Sequence, residues 1–351
     1  MSDTPTPENV PAPPHRRRPR YSGKNPRRFE EKYKEHHPEL YPEAVAKVLA
    51  SGKTPAGTHR SIMVAEILDV LRPQPGEVAV DGTLGYGGHA AELLPKLQPG
   101  GRLIGLDIDP IELPKAEARL RNLGFGAETF VAHRSNFAGL QKVLALEQFS
   151  GADLILADLG VSSMQLDDPV RGFSIKFEGP LDMRMNPQRG QPASALLEKI
   201  NADALAMLLE MNADEPQAHA LAGFLAERTF PTTTALANAI RRALLHKVTD
   251  DDLDDTIRRV FQALRIAVND EFSALDSFLR ILPACLNPDG RVAILTFHSG
   301  EDRRVKKSFE AGLRNGLYAE IAPEVIRPTP AERRDNPRST AAKLRWAIKA
   351  R

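Results

Sequence analysis

The fold is decided by nine residues, Asp81-Gly82-Thr83-Leu84-Gly85-Tyr86-Gly87-Gly88-His89. They follow a short apolar run, residues 78–80, and precede a segment with a helical pattern, residues 90–97. A strand, a glycine-rich turn and a helix start in this order are typical of a nucleotide-type cofactor site. Because glycine has no Cβ, the turn lets a ligand approach the backbone closely. About twenty residues further on, a second apolar run ends in Asp107, where a carboxylate accepts hydrogen bonds from ribose hydroxyls.

The glycine turn alone does not distinguish two classes of cofactor. Residues 85–90 also fit the dinucleotide fingerprint, which allows alanine at its last position. Asp81 favours a different ligand, because a carboxylate at the end of the first strand repels a pyrophosphate, which binds best at a positive helix terminus. S-adenosylmethionine has no phosphate, and it carries an ammonium beside a sulfonium, so an acid at the turn suits it. We therefore expect S-adenosylmethionine, with a nicotinamide cofactor as the alternative.

Length and composition are those of a globular protein. The chain has 351 residues, enough for one large domain or two smaller ones. Its single cysteine, Cys285, excludes an internal disulfide and a multi-cysteine zinc site, and we expect no metal. The N-terminus lacks the apolar stretch of a signal peptide, and no apolar run reaches membrane-spanning length. These features predict a cytoplasmic protein with no membrane partner.

Charge is unevenly distributed along the chain. The formal net charge is +1, but residues 11–29 hold seven basic side chains and no acidic one, so the remainder carries −6. We predict that residues 1–57 form a basic, proline- and arginine-rich extension that is largely disordered. Such an extension is either a solvated tail or an electrostatic arm for RNA phosphates.

The pattern of apolar residues predicts the domain organisation. Strands and helices alternate from about residue 58 to 169, which predicts a doubly wound α/β sheet with its ligand at the carboxyl ends of the strands. Residues 170–266 show helical patterns and little strand signal, with an acidic link at residues 250–255, and the sheet resumes beyond them. We predict that residues 58–169 and 267–351 are two parts of one sheet domain. Residues 170–266 would be an all-helical insertion that recognises the substrate, or else a helical elaboration without substrate contact.

Polar residues follow the predicted fourth strand, at the ligand edge of the sheet. This strand ends in Asp158, and residues 159–168 add a glycine, two serines and further acids. Asp158 is a candidate for the reactive end of the cofactor site, although an acid in this position also serves as a turn or helix cap. Phe173 and Phe177 are candidates for stacking on a nucleobase, while each is individually more typical of a core.

Two further blocks lie near the end of the chain. His298 follows a late strand, again at the ligand edge, and its role in the site or in the core is left open. A basic stretch contains Arg338, Lys343 and Arg345 around a strand-like end.

In this order, the blocks resemble the bacterial ribosomal RNA small subunit methyltransferase H family. The resemblance extends from about residue 59 to 347, and its most specific parts are residues 158–168 and 179–185. It implies a class I (Rossmann-like) S-adenosylmethionine-dependent methyltransferase sheet with an inserted all-helical domain. It also implies methylation of the exocyclic amino group of a cytidine in small-subunit (16S) ribosomal RNA, within an assembled or assembling subunit.

The resemblance also implies site residues. Matched by motif, the donor contacts are Gly87, Gly88, His89, Asp107, Phe137, Asp158 and Gln165. The glycines, Asp107 and Asp158 follow from the sequence pattern as well, whereas Phe137 and Gln165 rest on the resemblance. Asp158 is the predicted catalytic residue, because an acceptor on the amino N–H localises the nitrogen lone pair and then takes the proton. The backbone carbonyls of Leu159 and Gly160 are its rivals.

The chain departs from the family pattern in places. The leucine common after Phe-His-Ser is Gly300 here, which we expect to loosen a loop near the site. The basic extension before residue 58 is not expected in the family. Two other functions stay open: a nicotinamide-dependent oxidoreductase, and a non-catalytic RNA-binding or ribosome-assembly protein.

Overall fold

A computed structural model of the chain describes residues 61–245 and 248–351, so the predictions for residues 1–57 lie outside the described residues. Its centre is a seven-stranded sheet in the order β3-β2-β1-β4-β5-β7-β6. The first five strands are parallel, and β7 is antiparallel to both of its neighbours. The strands are β1 (Val78–Asp81), β2 (Arg102–Asp107), β3 (Phe130–Arg134), β4 (Ala152–Asp158), β5 (Leu286–Thr296), β6 (Tyr318–Ile321) and β7 (Lys343–Lys349).

Thirteen α-helices lie within the described ranges, 61–245 and 248–351. None of them is long and apolar enough to cross a membrane. The helices are α1 (Val64–Leu71), α2 (Gly88–Leu97), α3 (Glu112–Asn122), α4 (Leu140–Leu146), α5 (Ser163–Asp167), α6 (Ala193–Lys199), α7 (Ala202–Ala213), α8 (Ala218–Leu225), α9 (Thr233–Ala243), α10 (Asp250–Asn269), α11 (Glu271–Cys285), α12 (Ser299–Arg314) and α13 (Pro330–Asp335).

The central strands are buried on both faces, as in doubly wound folds. In β4, Ile155 and Ala157 pack into one hydrophobic cluster, whereas Leu154 and Leu156 pack into another on the opposite face. This alternation follows from the two-residue period of a strand, and it explains why the sequence shows a continuous apolar run. The predicted class I sheet with helices on both faces is confirmed.

The helical segment between β4 and β5 has a hydrophobic core of its own, formed by buried side chains between Phe173 and Leu264. This arrangement agrees with an all-helical insertion, while its boundaries stay a prediction. The acidic link predicted at residues 250–255 is wrong, because these residues form the first turns of α10 (Asp250–Asn269). The Thr249 hydroxyl caps the helix by accepting a hydrogen bond from the Asp252 N–H, and acids are favourable at a helix N-terminus.

Gly300 does not loosen a loop, contrary to expectation. It lies buried in the first turn of α12, where an added Cβ would come within 2.6 Å of Cζ of Phe272. Glycine therefore permits α12 to pack closely against α11. Strand β6 went unpredicted because it is short and largely exposed, with Tyr318 as its one buried side chain.

Candidate active site

A cleft of about 480 Å³ opens at the carboxyl ends of the parallel strands. Six of the seven predicted donor contacts line it, and Gly87 does not. Loops after β1, β2, β4 and β5 form part of the wall, and residues of α10, α11 and the segment after α13 complete it. The six predicted residues in the wall are Gly88, His89, Asp107, Phe137, Asp158 and Gln165.

The two adjacent glycines serve different purposes. Gly87 adopts a left-handed conformation with φ 78° at the N-cap of α2, and an added Cβ would come within 3.2 Å of the Leu120 side chain. It therefore shapes the turn from behind the cleft. At Gly88 an added Cβ would collide with Oγ of Ser61, so this position requires glycine because another chain segment passes so near.

Asp107 is held in place by the backbone at the end of β2. Its Oδ2 accepts a hydrogen bond of 2.7 Å from the Gly85 N–H, and its Oδ1 accepts one of 2.8 Å from the Asp109 N–H. Each carboxylate oxygen keeps a second lone pair for a hydroxyl in the cleft. Burial raises the pKa of Asp107 to about 6, and the two backbone hydrogen bonds oppose that rise.

Asp158 ends β4 in the middle of the cleft wall. Its own N–H donates a hydrogen bond of 2.6 Å to Oγ1 of Thr83, which fixes its backbone against the glycine turn. The Oδ1 atom is shielded from solvent and has no hydrogen-bond partner among the described residues. Burial, and next the nearby Glu301 carboxylate, raise the pKa of Asp158 to about 7. A carboxylate in the cleft wall with a pKa near neutrality is suited to receive a proton.

His89 lies beside this carboxylate. Its Nδ1 is 3.6 Å from Oδ2 of Asp158, and its Nε2 is 3.0 Å from the carbonyl oxygen of Ile62. Because a carbonyl oxygen only accepts, Nε2 carries the hydrogen, and Nδ1 is the ring atom that faces Asp158.

Asp81 does not contribute to the wall of the cleft, although the sequence suggested that it faces a cationic ligand. Its carboxylate is buried, and its Oδ1 accepts a hydrogen bond of 3.1 Å from the Thr83 N–H. Burial raises the pKa of Asp81 to about 6, while the charge of His89 opposes that rise. A buried carboxylate is costly unless it is hydrogen-bonded, and the bond from the Thr83 N–H meets this need. Asp81 therefore stabilises the glycine turn from the buried side of the sheet edge.

Gln165 lines the cleft, but both polar atoms of its side-chain amide are hydrogen-bonded to neighbouring residues. Its Oε1 accepts a hydrogen bond from the Ser162 N–H, and its Nε2 donates one of 2.8 Å to Oδ2 of Asp109. Nη1 of Arg171 donates to the same oxygen at 2.8 Å, with both side chains almost completely buried. The loop after β4 is thereby joined to the loop after β2. A direct donor contact of Gln165 stays a prediction.

Arg171 extends this network towards the helical segment. Its Nη2 donates hydrogen bonds to the carbonyl oxygens of Arg184, at 3.2 Å, and Met185, at 2.8 Å. Asn269 of α10 accepts a hydrogen bond of 2.7 Å from the Met185 N–H through its Oδ1. Met185 and Asn269 both line the cleft, so these contacts position one wall relative to the other.

The aromatic residues in the cleft are only partly those that the sequence suggested. Phe137 lines the cleft and packs edge-on against Phe278, with ring centroids 5.2 Å apart. Phe173 belongs to the core of the helical segment, and neither it nor Phe177 lines the cleft. Instead, the rings of Phe272 and Phe297 do.

Sequence reasoning missed both of these phenylalanines. Phe297 had a usable signal, because it follows β5 at the ligand edge of the sheet. Phe272 had none, because it lies within a helix. His298, which follows Phe297, packs against the ring of Phe272, and its Nε2 lies 3.1 Å from Oε1 of Glu301. It is not part of the cleft wall. A structural role for His298 fits this position.

Comparisons with known proteins point to one family. The model of the MraW methylase family matches residues 56–350. A protein of Alkaliphilus metalliredigens named ribosomal RNA small subunit methyltransferase H 2 is 50% identical over 342 residues, 95% of this chain and 97% of its own. A protein of Lachnoclostridium phytofermentans named ribosomal RNA small subunit methyltransferase H 1 is 47% identical over 346 residues, 96% and 94% of the two chains.

A third relative matches a smaller share of the chain. The ribosomal RNA small subunit methyltransferase H of Anaeromyxobacter sp. is 41% identical over 313 residues, which cover 84% of this chain and 98% of its own. The first two alignments cover 95% and 96% of this chain, so they include most of the extension before residue 58. Both of these relatives therefore have residues aligned with most of this segment, whose basic character in the family stays untested by the alignments.

Proposed function

The chain belongs to the MraW methylase family, and we propose that it methylates the exocyclic amino nitrogen, N4, of a cytidine in small-subunit ribosomal RNA. The methyl donor is S-adenosylmethionine. The observation that carries the proposed chemistry is the Asp158 carboxylate, which lines the cleft beside the glycine turn and has a pKa near 7. The names of the relatives support the class of RNA, and the chemistry of the site supports the amino group as acceptor.

The residues of the cleft fit S-adenosylmethionine. Gly88 leaves the backbone open where a side chain would intrude, and the free lone pairs of Asp107 suit the ribose hydroxyls. His89, Phe137, Asp158 and Gln165 are the other predicted donor contacts that line the cleft. When bound, S-adenosylmethionine supplies an electrophilic methyl group on a sulfonium. The chain's residues must then bring the amino nitrogen in line with that methyl and dispose of one proton.

Asp158 deals with the proton. The lone pair of the cytosine amino nitrogen is delocalised into the ring, and a hydrogen bond from its N–H to the Asp158 carboxylate localises that pair on nitrogen. The nitrogen gains a methyl group and loses one proton, which the Asp158 carboxylate accepts. Because the carboxylate has a pKa near 7, it is partly ionised before the reaction and still basic enough to hold the proton afterwards.

His89 holds Asp158 in its working position. Its Nε2–H is fixed by the Ile62 carbonyl and its Nδ1 lies 3.6 Å from Oδ2, so a proton on Nδ1 attracts the Asp158 carboxylate and fixes its orientation. Fixing the acceptor in this way contributes to catalysis through orientation, which supplies several kcal/mol of the rate gain in well-oriented reactions. The cytosine must be unstacked to reach the cleft, and Phe297 is the candidate ring on which it stacks.

The two alternative functions are not favoured. A nicotinamide oxidoreductase does not agree with membership of a methylase family, and a non-catalytic RNA-binding or assembly protein gives no role to the raised pKa of Asp158 in the cleft wall. A cytoplasmic location follows from the proposed ribosomal substrate.

The experiment is a methyl-transfer assay with radiolabelled S-adenosylmethionine on small ribosomal subunits that lack the modification, beside naked small-subunit RNA. Nucleoside analysis of the product is expected to show label in N4-methylcytidine. Label on a ring carbon or on ribose would contradict the proposed acceptor. Comparing the two substrates also shows whether the enzyme needs the assembled subunit.

A further inference from the structure

The cleft itself repels a phosphate chain. Five carboxylate side chains line it, against two arginines, Arg265 and Arg338. Arg265 is committed to Glu271 through two hydrogen bonds of 2.8 Å. A nucleic acid that inserts one base here must therefore find its cations at the mouth of the cleft. The five acids are Asp107, Glu112, Asp158, Glu271 and Glu301.

One side of that mouth is formed by the turn that follows α13 (Pro330–Asp335). Oε1 of Glu332 accepts a hydrogen bond of 2.7 Å from the Met63 N–H, which anchors α13 next to the lining residues Ser61 and Ile62. Asn336, directly after the helix, is itself part of the cleft wall. The last turn of α13 thus lies at the edge of the cleft.

This last turn carries two exposed arginines, Arg333 and Arg334, that stabilise no contact among the described residues. Arg333 and Arg334 are exposed, and their side chains form no hydrogen bond or ion pair with any residue in the described ranges. The two arginines in the cleft wall, in contrast, are paired, Arg265 with Glu271 and Arg338 with Asp167. A long cationic side chain that is left unpaired beside an acidic cleft is available for an anionic partner.

Arg338, a few residues further on, is only half used. Its Nη2 donates a hydrogen bond of 2.7 Å to Oδ1 of Asp167, and its Nη1 is shielded from solvent and has no partner in the described part of the chain. The residue lines the cleft with 34% of its side chain exposed, so Asp167 holds its guanidinium at the cleft wall. Guanidinium groups suit phosphate because they present paired N–H donors.

We propose that Arg333, Arg334 and Arg338 form a phosphate-binding rim, which holds the RNA backbone next to the nucleotide that enters the cleft. We call these three residues the arginine rim. The inference rests on the proposed function, since it assumes an RNA substrate. Contacts to phosphate fix the position of the strand and carry no base sequence, so the rim supplies affinity while the cleft selects the base. An extruded nucleotide brings its own phosphates to this edge.

The experiment uses the double variant Arg333→Ala/Arg334→Ala in the full chain, with unmethylated small ribosomal subunits as substrate. We expect the KM for subunits to rise about tenfold, with kcat and the affinity for S-adenosylmethionine unchanged. The slope of log KM against log salt should fall by about two, because two phosphate contacts are lost. Arg333→Lys/Arg334→Lys should restore most of the affinity, since lysine also binds phosphate as a point charge.

The matched control removes two exposed cations from the opposite, amino-terminal edge of the sheet, in Arg72→Ala/Lys96→Ala. It should leave both the KM and the salt slope near the wild-type values. An unchanged KM and slope in the Arg333/Arg334 variant would overturn the rim, and so would an equal change in the control. An equal change would reflect net charge alone.

A second measurement separates the rim from the proposed function. Filter binding of a labelled single-stranded RNA of roughly a dozen nucleotides, across a salt series, needs no catalysis. If the wild type methylates no subunit, the proposed function fails, while weaker binding with a lower salt slope in the double variant still supports the rim. Equal binding by wild type and variant overturns it.

Discussion

The two sides of the cleft are built in different ways. The donor side, residues 82–89 with Asp107, consists of a backbone turn and a carboxylate at a strand end, joined by the contact from Gly85 to Asp107 across 22 residues. The acceptor side, with Met185, Phe272, Phe297 and Arg338, depends on side chains that join distant segments. The contacts Arg171–Asp109, Met185–Asn269 and Arg338–Asp167 span 62, 84 and 171 residues. Local turns thus make the donor side, and long-range contacts place the acceptor side.

Asp158 lies where the two sides meet, and its replacement should have the largest effect. We expect Asp158→Asn to lower kcat by about 10²–10⁴-fold, because the amide cannot accept the proton. The affinity for S-adenosylmethionine should change much less. Single-turnover methyl transfer and calorimetric titration with S-adenosylmethionine measure the two quantities on the same preparation.

The control for this variant is Asp168→Asn, in the same loop. The Asp168 Oδ1 accepts a hydrogen bond from the Val170 N–H, and the side chain does not line the cleft. It should keep nearly full turnover. Near wild-type turnover in Asp158→Asn would transfer the catalytic role to a backbone carbonyl such as that of Leu159.

The long-range contacts of the acceptor side are tested by Arg171→Met. This change leaves the buried Asp109 carboxylate without its ionic partner, so we expect the free energy of unfolding to fall by about 3–5 kcal/mol. Urea denaturation measures it. Arg171→Lys should lose less, because it keeps the charge while losing the hydrogen bonds to the carbonyls of Arg184 and Met185.

An exposed ion pair provides the matched comparison. Arg258 and Asp255 form a contact of 2.6 Å on α10, with both side chains more than half exposed. Arg258→Met should therefore cost less than about 1 kcal/mol. Equal losses in Arg171→Met and Arg258→Met would mean that the Arg171–Asp109 contact does not hold the two sides together.

This difference between the two sides also decides what the sequence could predict. Asp107 and Asp158 stand at the ends of apolar runs, and parallel strands bring their carboxyl ends to one edge, so the sequence pattern alone places both in the cleft. Phe272 could not be placed in this way, because its position in the cleft depends on how α11 packs. Asp109 gave no signal either, since its importance comes from Arg171, which is far away in the sequence.

Local chemistry explains the other outcomes. Residues 250–255 looked like a link because acids are poor in helix interiors, yet the first turn of a helix favours them. Gln165 and Phe137 were placed only through the family resemblance, since nothing in their local pattern marks them. Both line the cleft.

On the donor side, a change that affects only the space around the backbone should lower the affinity for the methyl donor. In Gly88→Ala the new Cβ would collide with Oγ of Ser61, so we expect the affinity for S-adenosylmethionine to fall roughly tenfold, in line with about 1–3 kcal/mol for overpacking. Calorimetric titration measures the loss.

The second variant of this pair removes the obstacle. In Ser61→Ala/Gly88→Ala the Oγ atom is gone, and the nearest remaining atom of residue 61 is its Cβ at 3.5 Å. Donor affinity should therefore recover most of the loss. If the donor affinity did not recover, the close contact with Ser61 would not be the reason for glycine at position 88. Gly88 would then be needed for its backbone freedom or for direct contact with the ligand.

The smallest expected effect is a shift in pH dependence. Burial and the Glu301 carboxylate hold the pKa of Asp158 at about 7, above its ordinary value, so the ionised, proton-accepting form is lost as the pH falls through 7. Methyl transfer under single-turnover conditions should decline below pH 7, approaching tenfold per pH unit. Glu301→Gln removes the negative neighbour and keeps an amide oxygen for the Phe297 N–H. The pKa of Asp158 should then fall, and the decline should begin at a lower pH.

Glu112→Gln is the control for this shift. Glu112 also lines the cleft, but its charge does not contribute to the raised pKa of Asp158. Its pH profile should match the wild type. If Glu301→Gln left the profile unmoved while Asp158→Asn abolished turnover, the titrating group would be one other than Asp158. The donor and acceptor sides would then meet at a different proton acceptor.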